Sequence, residues 1–145
     1  MRVICYFDGN CRLGDRGSGA AIVYDEQGEE IGRKATYIAG DHVTNNQAEW
    51  RGLINALDLA RELGAEEVRI YGDSELIIRQ FLGRYQVRKE HLKALHREAI
   101  QKARYFKRVT VPEIKRSGKE NRRRNGNMNA DALSTACMKA GRDLP

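Results

Sequence analysis

Two carboxylates stand where an ionised group is unusual. Asp8 follows the run 3–7, which is apolar at every position, as in a central strand covered on both faces. Glu49 lies four residues before Leu53, in the apolar stripe of a helix predicted from about Asn45 to Leu63. Ionised carboxylates are rarely buried unless they are paired or bind a metal. Both acids are therefore candidates for chemistry, although Asp8 also fits a turn and Glu49 a solvated helical glutamate.

Two more acids lie near the ends of predicted elements. Asp73 falls at the carboxyl end of a short strand, 67–71, where open α/β sheets place their sites. Asp131 falls in the first turn of a last helix, predicted from about Met128 to Lys139. Asp73 has a structural alternative, because Asp and Ser are favoured helix N-caps and Ser74 follows it.

If these four acids meet, the chemistry they favour is that of divalent cations. Carboxylates gathered within several ångströms repel one another and cannot all stay ionised unless a cation joins them. Oxygen ligands suit Mg²⁺, which substrate phosphate oxygens commonly complete, and Mn²⁺ is an alternative. Two such ions roughly 3.5–4 Å apart can activate water and stabilise the leaving oxygen of a phosphodiester. The sequence lacks the phosphate-binding, dinucleotide-binding and nucleophile-elbow motifs of other enzyme classes.

The elements that must bring the acids together are predicted from periodicity and turn signals. Strand-like runs flank the turn at 25–28, so the first three strands form an antiparallel meander. Thr44 and Gln47 match a capping box that starts the first helix, and Gly64 ends it. The strands are predicted at about 2–10, 19–24, 31–38, 67–71 and 107–114.

This order of elements predicts one α/β domain over residues 1–145. Its five-stranded mixed sheet has three antiparallel strands first, continues through helical crossovers and is flanked by α-helices. In such a sheet, Asp8 on a central strand can be approached by the strand end that bears Asp73 and by the helices that bear Glu49 and Asp131.

The composition narrows the partners and the compartment. Lys plus Arg is 26 against 20 Asp plus Glu, and the resulting charge of +6 favours a polyanionic partner. Three cysteines without paired spacing predict neither a disulfide framework nor a zinc site, and indicate a reducing cytoplasm. No signal peptide or membrane-spanning run is recognisable, so we expect no membrane contact.

One segment, 115–127, contains no apolar residue at all. Six of its thirteen residues are Lys or Arg against one Glu, so it is the best candidate in the chain for contact with a phosphate backbone. A segment of this composition cannot pack on itself and is expected to be mobile when alone. The basic side chains assigned to substrate binding here are Lys119, Arg122, Arg123 and Arg124.

Short polar motifs surround the four acids: Tyr6-Phe7-Asp8-Gly9-Asn10, Thr44-Asn45-Asn46-Gln47-Ala48-Glu49, Tyr71-Gly72-Asp73-Ser74 and Asn129-Ala130-Asp131-Ala132-Leu133. In order and spacing this set resembles the type 1 ribonuclease H family over nearly the entire chain. The resemblance implies a ribonuclease H-like fold and a magnesium-dependent endonuclease. Such an enzyme cuts the RNA strand of an RNA–DNA hybrid and leaves 5′-phosphate and 3′-hydroxyl ends. Metal binding and catalysis then fall to Asp8, Glu49, Asp73 and Asp131.

The resemblance also assigns substrate-binding residues. Asn10, Asn45 and Asn46 are expected to face the minor groove, where RNA 2′-hydroxyls distinguish a hybrid from a DNA duplex. Gly9 and Ser74 belong to the same motifs and are assigned to substrate binding with them. Thr44 is expected near the phosphates of the DNA strand, although its role as a helix cap already explains it.

The sequence departs from the family pattern in two places. Many members carry a histidine in the loop before the last Asp, but the three histidines here are His42, His91 and His96. Lys119, Asn125 or the arginines at 122–124 are the candidates to take over part of that role. Only Gly83–Val87 separates the second and third helices, so the chain resembles the branch without a basic handle.

Three other interpretations remain open at this point. The chain could grip duplexes without cutting them, it could cut DNA through similar acids, or its acids could be only caps and solvated charges. Acids beside phosphate argue against a pure binder, because negative charge weakens phosphate binding. No obligate protein partner is evident, and a monomer is expected.

Overall fold

The computed structural model describes residues 1–12, 15–112 and 121–145 of the chain, and at 121–125 it describes the backbone alone. The elements in chain order are β1 (Arg2–Arg12), β2 (Arg16–Tyr24), β3 (Glu30–Ala39), α1 (Asn45–Glu62), β4 (Glu67–Tyr71), α2 (Glu75–Phe81), α3 (Glu90–Ala103), β5 (Arg108–Thr110) and α4 (Asn121–Ala140). No helix in these three ranges is long and apolar enough to cross a membrane.

The strands form one five-stranded sheet in the order β3-β2-β1-β4-β5. β1 pairs antiparallel with β2 and parallel with β4, and β4 pairs parallel with β5. The first three strands are antiparallel, so the predicted mixed sheet with β1 at its centre is confirmed.

Both faces of β1 are covered, as its unbroken apolar run predicts. Val3, Cys5 and Phe7 belong to the main hydrophobic core, which α1, α2 and α3 complete on one face of the sheet. On the other face Tyr6 packs with Tyr71 of β4 and with Ala130 of α4. Asp8 follows Tyr6 by two residues, so its side chain projects from the face that α4 covers.

Glycines let α1 lie directly on the sheet. A Cβ atom on Gly9 would fall 2.3 Å from the backbone of Ala48 and Glu49, and one on Gly52 would fall 2.6 Å from the carbonyl oxygen of Asp8. Real Cβ atoms do not come this close to backbone atoms, so only glycine permits the contact. The N-terminal turn of α1 is thereby held level with Asp8.

The structure corrects the predicted start of the last helix. α4 begins at Asn121, not near Met128, so Asp131 lies about three turns into the helix and not in its first turn. Residues 121–127 carry no apolar stripe, and Gly126 reads as a helix breaker in sequence. Instead Gly126 sits against the ring of Tyr6, which its Cβ would approach to 2.6 Å. Tertiary packing therefore supports a helix that local propensity does not signal.

Smaller differences concern the lengths of other elements. β2 begins at Arg16, three residues before its predicted start, because Gly17 and Ser18 read as loop residues but pair with β1. α3 spans Glu90–Ala103, and β5 is confined to Arg108–Thr110, within the predicted strand 107–114. The basic segment predicted to be mobile lies outside the described residues at 115–120 and is helical from Asn121 onward.

Candidate active site

The parallel register of β1 and β4 places Asp8 and Asp73 level with each other. Tyr6 pairs with Tyr71 at the end of β4, and each of these tyrosines precedes an aspartate by two residues. The negative charge of Asp73 raises the pKa of both Asp8 and Glu49, which is the electrostatic consequence of this proximity. The sheet topology alone therefore brings the first pair of predicted acids together.

Glu49 enters the site from α1 and is 7% exposed. Burial, followed by the charge of Asp8 and a hydrogen bond with that carboxyl, raises its pKa from 4.5 to about 9. The backbone N–H of Gly9 donates to it and acts in the opposite direction. The second oxygen of Glu49, Oε2, is buried and has no hydrogen-bond partner among the described residues. A buried carboxylate oxygen without a hydrogen-bond partner or a bound cation destabilises the folded state.

Asp131 reaches the same place from α4 and is exposed to solvent. Its Oδ1 accepts a hydrogen bond of 3.1 Å from Nδ2 of Asn10. Burial, then a hydrogen bond with Asp131, then the charge of Asp73 raises the pKa of Asp8 from 3.8 to about 7. Asp8 is thus the centre of the group, in contact with Glu49 on one side and Asp131 on the other.

The four acids fit divalent cations by their chemistry. Within the described ranges no three His, Cys, Asp or Glu side chains form a ready-made metal cage. Mg²⁺ does not need one, because it is usually held by one or two carboxylates together with waters and substrate phosphates. The raised pKa values of Asp8 and Glu49 and the unpartnered Oε2 of Glu49 all indicate a cluster short of positive charge.

The residues assigned to substrate binding have separate placements. Thr44 caps α1, with its hydroxyl accepting from the backbone N–H of Gln47 at 3.1 Å. Asn45 is exposed and Asn46 half-buried at the same helix end as Glu49. Ser74 is the N-cap residue of α2, but its side chain makes no capping hydrogen bond. Their contacts with substrate stay predictions.

The remaining candidate residues have other placements. Gly9 packs against α1, and its missing side chain makes this close approach possible. Lys119 lies outside the described residues, as do the side chains at 122–124. His42 is exposed in the turn before α1, and the ring of His96 packs edge-on against Trp50, with centroids 5.5 Å apart.

Sequence reasoning missed the aromatic floor of the site. The rings of Tyr6 and Tyr71 stack with centroids 5.3 Å apart, and each tyrosine precedes one of the two aspartates by two residues. The signal was present as Tyr-x-Asp in both strands, and it becomes readable once the parallel register is known.

Comparisons with known proteins agree with this architecture. The model of the reverse transcriptase-like family matches residues 6–137. The bifunctional protein Rv2228c of Mycobacterium tuberculosis is 34% identical over 152 residues, which cover 99% of this chain and 38% of that protein. Ribonuclease HI of Halobacterium salinarum is 30% identical over 146 residues, which cover 94% of this chain and 64% of that protein.

A solved structure with a bound nucleic acid is also similar. LC11-RNase H1, isolated from compost by a metagenomic approach, was crystallised in complex with an RNA/DNA hybrid. It superposes with a TM-score of 0.80 and 27% identity, covering 95% of this chain and 97% of that one.

The chain spans 38% and 64% of the lengths of the two curated relatives, so these are matches to part of each protein. The family match nevertheless runs through nearly all of this chain and includes all four acids. Together with the fold and the order of the motifs, it shows that the chain belongs to the type 1 ribonuclease H family.

Proposed function

We propose that this protein is a ribonuclease H, a hydrolase that cuts the RNA strand of RNA–DNA hybrids and leaves 5′-phosphate and 3′-hydroxyl ends. The observation that carries the proposal is the meeting of acids from β1, α1, β4 and α4 around Asp8. A structurally similar protein bound to an RNA/DNA hybrid supports the substrate class. Family membership supports the reaction.

Asp8, Glu49, Asp73 and Asp131 would hold two Mg²⁺ ions, or Mn²⁺ in their place, when substrate is bound. The chemistry supplied by the bound ions is the activation of water and the stabilisation of the leaving oxygen of the phosphodiester. Asp8 contacts two other carboxyls, so it is the acid best placed to be shared. The N–H of Gly9 donates to both Asp8 and Glu49 and orients their oxygens.

Recognition of the RNA strand is assigned to groups beside the acids. Asn45 and Asn46 lie at the end of α1 that bears Glu49, and their amides can both donate to and accept from a 2′-hydroxyl. Gly9, Asn10, Thr44 and Ser74 complete this proposed surface. Lys119 and the arginines 122, 123 and 124 are proposed phosphate contacts on the basis of charge alone.

A cleavage assay tests the proposal directly. Labelled RNA–DNA, RNA–RNA and DNA–DNA duplexes are incubated in parallel with and without Mg²⁺, and the products are separated on a gel. We expect cleavage only of the RNA strand of the hybrid, and only with the metal. Asp8→Asn and Asp73→Asn should abolish it without lowering the melting temperature of the metal-free protein, because they remove like charges from a crowded site.

The matched control is Glu62→Gln, which neutralises an exposed acid of the same helix as Glu49 and should cut normally. An active Asp73→Asn variant would refute the assigned chemistry. Tight, salt-sensitive hybrid binding without turnover in Mg²⁺ or Mn²⁺ would identify a binding module instead. A monomeric state, independence from a protein partner and a cytoplasmic location stay predictions.

A further inference from the structure

We propose that Asn10 and Ser18 are positioning residues that hold α4 so that Asp131 stays at the acid cluster. This inference rests on the proposed function, because it concerns the same site. It gives Asn10 a role in addition to the proposed contact with the RNA minor groove.

The evidence is a pair of contacts made by one rung of the sheet. Asn10 of β1 and Ser18 of β2 face each other in the antiparallel ladder. Asn10 donates to Asp131, and the hydroxyl of Ser18 lies 2.5 Å from both the carbonyl and the hydroxyl oxygen of Ser134. Asp131 and Ser134 are three residues apart and therefore adjacent on the surface of α4. Two neighbouring positions of the sheet are thus hydrogen-bonded to one turn of α4.

The contact between Ser18 and Ser134 is stronger than the contact between Asn10 and Asp131. Ser18 and Ser134 are fully buried, and the hydroxyl of Ser134 also donates to the backbone carbonyl of Ser18 at 3.1 Å. Buried reciprocal hydrogen bonds fix geometry, because breaking one leaves a polar group without water. The contact between Asn10 and Asp131 is exposed and holds its position because the serine pair fixes the helix next to it.

Asp131 needs such a restraint. It is the most exposed of the acids that contact Asp8, and two carboxylates in contact repel unless a proton or a cation lies between them. Without the hydrogen bonds from Asn10 and Ser18, hydration and charge repulsion both favour a rotamer that turns Asp131 away from the acid cluster. The apolar contact next to it, Ala130 against Tyr6, fixes the helix but not this side chain.

A double-mutant cycle separates positioning from substrate contact. Mn²⁺ binding to the substrate-free protein is measured by calorimetry for the wild type, Asn10→Ala, Asp131→Ala and the double variant. Loss of a group that orients a metal ligand typically weakens metal affinity about 10-fold or more. We expect about a 10-fold rise in the Mn²⁺ dissociation constant for Asn10→Ala in the wild-type background. In the Asp131→Ala background, Asn10→Ala should change the Mn²⁺ dissociation constant by less than about 2-fold, because the carboxylate that Asn10 orients is absent.

Kinetics provide a second readout. If Asn10 acts through Asp131, Asn10→Ala lowers kcat and raises the Mg²⁺ concentration for half-activation. Loss of an RNA contact alone would instead raise KM for the hybrid and leave these two quantities unchanged. The control is Asn129→Ala, which removes an amide of α4 that donates to the hydroxyl of Tyr24 at 3.1 Å. It should leave the Mn²⁺ dissociation constant and kcat within about 2-fold of the wild type. Ser18→Ala should weaken Mn²⁺ binding in the same direction as Asn10→Ala, and if it fails to fold, the Asn10 cycle decides alone.

The outcomes are distinct for the two proposals. A wild type that binds no Mn²⁺, equal Mn²⁺ binding by wild type and Asn10→Ala, or a change confined to KM would overturn the positioning role. A wild type that cuts no hybrid but binds Mn²⁺ in a manner that depends on Asn10 and Asp131 would overturn the proposed function and leave the positioning role standing.

Discussion

Replacing Glu49 by Gln should stabilise the metal-free protein, and the gain should depend on pH. Glu49 is 7% exposed, its pKa is raised to about 9, and its Oε2 has no partner within the described residues. Between pH 4.5 and about 9 the folded chain keeps a proton that the unfolded chain has released. The folded chain then binds more protons than the unfolded chain, so the free energy of unfolding falls as the pH rises through this window.

The size of the effect follows from the shift. A pH of 8 is about three and a half units above the ordinary pKa of Glu49, and each unit corresponds to about 1.4 kcal/mol. The destabilisation of the folded wild type by Glu49 therefore has an upper value of about 5 kcal/mol. Asp8 is half-buried and Asp73 exposed, so solvent screens part of this interaction, and we take about half of that value. Glu49→Gln has no proton to gain, so it should be more stable than the wild type by about 2–3 kcal/mol at pH 8. At pH 5 the difference should be only a few tenths of a kcal/mol.

Urea unfolding in the presence of EDTA at pH 5 and pH 8 measures both values, and calorimetry should show a rise in melting temperature of roughly 5–10 °C at pH 8. Glu62→Gln is the matched control, because it removes an exposed charge from the same helix and should change stability by less than about 0.5 kcal/mol at either pH. Equal stability of Glu49→Gln and wild type at pH 8, or a gain that is the same at pH 5, would refute the argument that the fold forces this carboxyl into a site where it resists ionisation.

Two further predictions concern how α1 is held on the sheet. Gly9→Ala places a Cβ 2.3 Å from the backbone of Ala48 and Glu49, so the helix must shift. We expect the free energy of unfolding, measured with urea, to fall by about 1–3 kcal/mol and Mn²⁺ binding to weaken. Wild-type values for both would show that the close approach is not needed. Asn55→Ala removes a buried amide that donates to the carbonyl of Gly19 at 3.0 Å, and the orphaned carbonyl should lower the free energy of unfolding by about 1–3 kcal/mol at any pH; a loss that appears only at alkaline pH would contradict this.

Much of the fold was predictable because its signals are local. The unbroken apolar run 3–7 identifies a strand covered on both faces, and β1 is the central strand. The pair Thr44 and Gln47 marks the start of α1, which begins at Asn45. The parallel relation of β1 and β4 then follows from the helical crossover between them, and it is enough to bring Asp8 next to Asp73.

What could not be predicted depends on contacts between residues far apart in sequence. Ser18 and Ser134 are separated by 116 positions, and nothing in their spacing indicates that they meet. The first two turns of α4 contain no apolar residue, so hydrophobic periodicity predicts a start near Met128 when the helix begins at Asn121. Gly126 lies in the segment predicted to be mobile, because a glycine that makes room for a tyrosine ring has the same local signature as one that breaks a helix.

The arrangement of the acids explains why binding a cation and folding must be linked. The approach of α1 to β1 at Gly9 keeps Glu49 buried, with 7% exposure, and the pairing of β1 with β4 fixes Asp73 beside Asp8. The hydrophobic core on the α1 face holds these backbones in place whether or not the charges are compensated. A cation that binds only the folded chain must therefore stabilise it by mass action, and most strongly at alkaline pH, where the uncompensated carboxylates oppose folding most. Since the same packing that raises the pKa values also preorganises the oxygens, the instability of the metal-free site and its readiness to bind have one structural cause.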